Sequence, residues 1–283
     1  MELKMTDNPL KQYFRQPAIY LPLPSKGRFY PEGAIELPES GELPVYPMTA
    51  IDEITYKTPD ALFNGTSVVD VIRSCVPSIK DPWYMPTFDL NTVLTAIRIA
   101  SFGEEMDIVS TCPSCGTTAD YTVDCHTLID RTPDISKYDE TVNIGDLKIH
   151  FRPLFYKEVN ENNKMQFEEA RLHQLINDDS VTPEKKVELL TQAFQNIAAF
   201  SIQTVGKSIE SIETPESIVT EKDHIKDFLS NCESEVYERI KKHLFELKRL
   251  EDLEPLHIQC SECNHEYDQA FALDMSSFFE RSS

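Results

Sequence analysis

Two pairs of cysteines hold most of the chemistry that this sequence could do. Cys112 and Cys115 are separated by two residues, and so are Cys260 and Cys263. A thiolate is both a nucleophile and a metal ligand. Two intervening residues let both sulfurs of a pair reach one ion across a tight turn. The settings match as well as the spacing. Segments 108–121 and 256–267 each run from a strand-like stretch into C-x-x-C, then to Gly116 or Asn264, then into a polar strand that contains tyrosine. Gly and Asn best tolerate positive φ, which a knuckle requires if its backbone N–H groups are to turn toward the sulfurs. Four sulfurs suit tetrahedral Zn²⁺ at Zn–S distances of ~2.3 Å. A site so filled has no open position for water or substrate. It predicts a structural cross-link between residues 112 and 263, not Lewis-acid catalysis. The alternative cofactor for the same ligands is an iron–sulfur cluster.

The other candidate groups add little. Cys75 and Cys232 fall in helical patterns and read as small core residues. Cys125 and His126 follow the first pair and His265 the second, but the C-x-x-C geometry does not require them. A thiol oxidoreductase would place its C-x-x-C at a helix N-terminus, whereas both pairs here lie between strands. No G-x-G-x-x-G, Walker A, G-x-S-x-G or H-E-x-x-H is present, and no acid–base pair is recognisable. The expectation is a non-enzyme with no catalytic residue and no small-molecule substrate.

Charge narrows the partners. Against 27 basic residues stand 48 acidic ones, a formal net charge of -21. Such a field repels polyanions, whereas nucleic-acid binding draws on Lys and Arg set against phosphates. The hairpins themselves carry Glu104, Glu105, Asp107, Asp120, Asp124, Glu262, Glu266 and Asp268, the wrong surface for a nucleic-acid-binding zinc ribbon. Lys241, Lys242, Lys248 and Arg249 read as a solvated helix face. No apolar run reaches the ~18 residues that a bilayer span needs, and no apolar signal core opens the chain. A soluble protein made in a cytoplasm is expected, where paired cysteines favour metal over disulfides.

The elements that must position the thiols follow from pattern. Residues 1–48 are rich in proline and predict an extended arm, turning at Ser25 to Gly27 and lying on its own domain or on a neighbour. Residues 49–153 predict an α+β core that holds the first knuckle. Within or near it, 45–57 alternate like a strand, Thr58 caps a helix over 59–64, and Gly65 separates this from another over 67–75. Asp89 caps a core helix from Leu90 to Phe102, closed by Gly103. Arg98 on that helix should snorkel to a surface. Strands follow at 105–111 and 117–124, and shorter ones within 131–152. Residues 154–252 predict a helical insertion, with helices near 157–176, 183–203 and 221–250. Thr182 caps the second, Thr220 with Asp223 caps the third, and a connector or short strand fills 204–219. Residues 253–283 return to strand at 256–259 and 265–273 around the second knuckle, and Phe278 and Phe279 should dock on the core. The fold class is α+β: a β-rich core with two zinc-ribbon-like C-x-x-C hairpins and an inserted helical region.

Three stretches together carry a family resemblance. They are Leu23-Pro-Ser-Lys-Gly-Arg-Phe-Tyr30, Leu94-Thr-Ala-Ile-Arg-Ile-Ala-Ser-Phe-Gly103, and Cys112-Pro-Ser-Cys-Gly116 directly after it. The chain resembles the baseplate hub subunits and hub-assembly proteins of T4-like contractile-tailed bacteriophages. The likeness spans roughly residues 20–160 and the closing C-x-x-C. It implies a non-enzymatic role in the virion tail baseplate, assembled in the host cytoplasm. The implied partners are other hub and tail proteins, or further copies of the chain. Segment 157–252 has no part in the resemblance.

Overall fold

Proline decides the first part of the fold by exclusion. It forbids a helix in the arm but permits edge strands. In the computed structural model, which describes residues 8–58, 63–129, 133–176, 181–251, 255–269 and 278–279, β1 (Ile19–Pro22) pairs antiparallel with β2 (Glu42–Val45), Ile19 opposite Val45. Leu21, Leu23, Leu43 and Val45 are buried in the chain's own core. Of the two expected positions for the arm, the structure takes the first. Arg15 fastens its start, donating to the Ser74 carbonyl and hydroxyl, both at 2.8 Å, and to Asp52 at 3.2 Å. Ser25 accepts from Arg28 N–H in the turn expected there.

Beyond Val45 the strand reading of 45–57 is wrong. Thr49 accepts from Asp52 N–H, Asp52 accepts from Thr49 N–H, and this capping box starts α1 (Ala50–Tyr56). The reciprocal cap satisfies two end donors at once, which outweighs the β-like alternation. Gly65, at φ 75°, introduces α2 (Thr66–Cys75). The rest of the divided helix, from Pro59 to residue 62, lies outside the described residues.

The core helix α3 (Thr87–Phe102) starts three residues earlier than expected, after Pro86. Asp89 therefore does not cap it. The carboxylate is fully buried and accepts from Ser25 N–H and hydroxyl and from the Tyr30 hydroxyl. Gly103 closes the helix at positive φ. Arg98 does not snorkel: it is buried, donating to the carbonyls of Phe278 (3.1 Å) and Glu105 (3.4 Å). The reason is the docking of Phe278 and Phe279, which bury against Tyr56 and Phe102 and bring a carbonyl to the guanidinium.

One apolar cluster joins the arm, α2, α3 and the C-terminal phenylalanines. A second lies on the antiparallel sheet β5 (Val142–Ile144), β6 (Leu147–Phe151), β7 (Ile209–Glu213), β8 (Ile218–Val219). After the one-turn α4 (His126–Ile129), the helical cover of this sheet includes α6 (Pro183–Ser208), which packs against α5 (Tyr156–Ile176). Thr182 caps α6 as expected. The single helix expected over 221–250 is two, α7 (Lys222–Asn231) and α8 (Ser234–Glu251). Asn231 turns its amide back onto the Asp227 carbonyl, a side chain competing for the helix's own acceptors, and Cys232 is extended. Glu221, not Thr220, stands at the start of α7, without a side-chain cap. The architecture is α+β. Among the described residues no helix is long and apolar enough to cross a membrane.

Candidate metal centre

Two hairpins position the thiols. β3 (Glu105–Thr111) pairs with β4 (Thr118–Asp124), with Glu105 opposite Asp124. β9 (Leu256–Gln259) pairs with β10 (Glu266–Gln269). The return strand is thus described only to Gln269, and expected residues 270–273 lie outside the described set. Each tip closes by the same two backbone hydrogen bonds. Cys112 N–H donates to Thr117 and Gly116 N–H to Cys112, both at 2.9 Å. Cys260 N–H donates to His265 at 2.9 Å and Asn264 N–H to Cys260 at 3.0 Å. Gly116 has φ 75° and Asn264 φ 58°, the left-handed turn that their residue types predict.

The tips meet. Cys112 Sγ lies 3.7 Å from Cys263 Sγ, and Cys115 Sγ lies 3.7 Å from Cys260 Sγ. All four sulfurs fall within 4.8 Å of one another. The first cysteine of each knuckle faces the second of the other, as two like units related by an approximate two-fold axis would arrange them. Cys112 and Cys260 are buried, while Cys115 and Cys263 face outward. Below the tips, Ser110 on β3 bonds both Tyr267 and Gln269 on β10, each at 2.8 Å. Sequence reasoning missed this brace. Its signal is weak: Ser110 occupies an inward position of β3 where an apolar residue would be usual.

Polar donors favour thiolate at two of the sulfurs. The Thr117 hydroxyl and N–H pull the Cys115 thiol down to about 6. The N–H groups of Cys263 and Glu262 pull Cys260 down. At Cys263 the His265 N–H acts in the same direction, but burial and hydrogen bonds with the other three sulfurs prevail and push that thiol up to about 12. Thiolates this close repel one another unless a cation stands among them. The donor set therefore fits a soft, four-coordinate ion: a tetrahedron with Zn–S of ~2.3 Å has sulfurs about 3.8 Å apart. What such an ion supplies when bound is a cross-link between the hairpins.

The remaining candidates stand elsewhere. His265 stacks on Tyr267, and His126 lies 3.4 Å from Glu104. Cys75 and Cys125 are buried apart from the cluster, and Cys232 ends α7. Among the described residues no further His, Cys, Asp or Glu joins the four cysteines.

Neither the curated proteins nor the solved structures give a significant match. A family model described as T4 bacteriophage base plate protein matches residues 36–280, a span that begins after the Leu23–Tyr30 stretch but takes in both knuckles and the whole helical region. With most of its length so matched, the chain belongs to the T4 bacteriophage base plate protein family.

Proposed function

We propose that this baseplate protein is a structural or assembly component of the tail hub, held in shape by one Zn²⁺ ion on Cys112, Cys115, Cys260 and Cys263. The observation that carries the reading is the meeting of four sulfurs from opposite ends of the sequence, with 3.7 Å between the nearest sulfurs of different hairpins. That spacing supports a single ion over a [4Fe–4S] cluster. In a cluster each thiolate stands off a separate iron, and the sulfurs lie roughly 6 Å apart. Four protein ligands leave the ion no open position, so its role is to staple the fold, and the protein is non-catalytic.

The rival readings have less support. A thiol oxidoreductase would use a helix N-terminus to activate its cysteine, and both pairs sit at hairpin tips. A nucleic-acid-binding ribbon would present cations on its hairpins. Here Glu105, Asp107, Asp120, Glu262, Glu266 and Asp268 are exposed instead. The partners on this reading are other proteins of the tail hub, or further copies of the chain, met in the host cytoplasm during assembly.

Elemental analysis of the protein purified without added metal tests the ion: about one equivalent of zinc is expected, and iron with inorganic sulfide would overturn zinc. Tails assembled in a host lacking the protein test the role. Defective baseplates are expected, and normal, infectious tails would overturn it.

A further inference from the structure

A second surface, remote in sequence from the knuckles, has its own chemistry. The turn Pro82–Tyr84 and the first two turns of α5 enclose a cleft of about 450 Å³, lined by Asn64, Trp83, Tyr84, Lys157, Asn160 and Lys164 among others. Trp83 is fixed there by a parallel stack on Tyr156, 5.3 Å between ring centres and 12° between planes. Lys157 and Lys164 are seven residues apart on α5, so both face the cleft about 10 Å apart along the axis.

The charges in the cleft are not equally free. Asp81 is held by Arg73 and by the Trp83 N–H. Glu161 is held by Lys207 at 2.9 Å, and the Asn160 amide donates to the Asn64 carbonyl. Lys157 and Lys164 have no ion-pair partner among the described residues. In a chain of net charge -21, this leaves two cations without an ion-pair partner among the described residues, set beside the rings of Trp83 and Tyr84. Two cations without an ion-pair partner match carboxylates better than the neutral hydroxyls of a sugar, because a charge-assisted hydrogen bond is the stronger one. Carboxylates on either side of an apolar side chain match what is left. In a peptide extended as polyproline II, with three residues per turn, the side chains of residues i and i+3 lie on one face about 9 Å apart.

We propose that this cleft binds an extended acidic segment of a partner protein, two carboxylates meeting Lys157 and Lys164 while an intervening apolar side chain packs on Trp83. The site is independent of the metal reading. Recognition rests on charge-assisted contacts and cation-bordered aromatic packing.

Trp83 is the only tryptophan of the chain, so its fluorescence reports on this cleft alone. The probe is a blocked hexapeptide with glutamate at its second and fifth positions and valine and isoleucine between them, added to the full-length protein. A saturable change in emission is expected, weakening as salt rises. The same peptide with glutamine for glutamate should bind at least about tenfold more weakly. So should the acidic peptide with the Lys157→Gln, Lys164→Gln double variant. If that variant loses its circular dichroism, the two peptides still make the comparison on unaltered protein. Equal binding of the glutamine peptide, or of the folded double variant, would overturn the proposal. So would no saturation at millimolar peptide, or a response to oligogalacturonate where the peptide gives none.

Discussion

Each cysteine of the cluster offers one possible ligand atom, and the consequence of losing one depends on whether the four act together. If they share an ion, removing any sulfur removes the site. Cys112→Ser and Cys260→Ser should each destabilise the protein by several kcal/mol, since metal binding is folding free energy. The double variant should cost little more than either, because neighbours in one site are not additive. Denaturant unfolding checks this, and summed losses would mean two independent thiol pairs. A second residue-scale effect comes from Asp89. Burial pushes its carboxyl from 3.8 up to about 6, against the pull of hydrogen bonds from Ser25 and Tyr30. With the folded value above the unfolded one, the folded state binds the proton more tightly. The stabilisation is full below about pH 4 and is lost as pH rises through about 6. Relative to Asp89→Asn, the native protein should therefore gain about 2 kcal/mol between about pH 7 and about pH 4.5. Urea unfolding of both proteins at the two pH values measures it; a constant difference would mean that the carboxyl titrates normally.

At the scale of elements, the knuckles show how a local conformational demand fixes residue type. Asn264 turns at φ 58° where the other hairpin has Gly116. Asn264→Gly should be tolerated with full metal content, whereas Asn264→Val should cost roughly 1–2 kcal/mol and lower metal affinity, since a β-branched side chain resists that turn. Thermal melts and metal content of the two variants separate the cases. These turns were legible because spacing and residue type are local signals. The same holds for Thr182 before α6 and for the strands flanking Cys112. What could not be read was set by partners distant in sequence. Asp89 resembles a helix cap until Ser25 and Tyr30, some sixty residues away, are seen to claim it. Arg98 resembles a surface charge until the Phe278 carbonyl arrives. Residues 45–57 alternate as a strand would, yet Thr49 and Asp52 form a cap that the alternation hides. The arm's prolines exclude a helix without saying that Leu21 and Leu43 pair across a small sheet into the core.

In the whole molecule the knuckles stand at the two ends of the segment that builds the second core. β4 leads out of the first hairpin, the chain then forms β5 through α8, and β9 leads back into the second hairpin. The second core closes through its own sheet, with Ile149, Phe151, Ile209 and Ile212 buried there. The hairpins, by contrast, are two-stranded and among the described residues pair with no other sheet, and a two-stranded hairpin is marginal alone. Their described cross-connections are the sulfur cluster and contacts such as those of Ser110 with Tyr267 and Gln269. If the four sulfurs hold the proposed ion, removing it should consequently be felt unequally. On treatment with a chelator, amides of β3, β4, β9 and β10 should lose hydrogen-exchange protection, while those of β6 and β7 keep most of theirs, because local opening follows the least-packed unit. Restoring zinc should return the protection. Uniform loss would place the staple in the global stability of both cores, and unchanged exchange in the hairpins would mean that packing alone holds them, with the four sulfurs near one another but bearing no load.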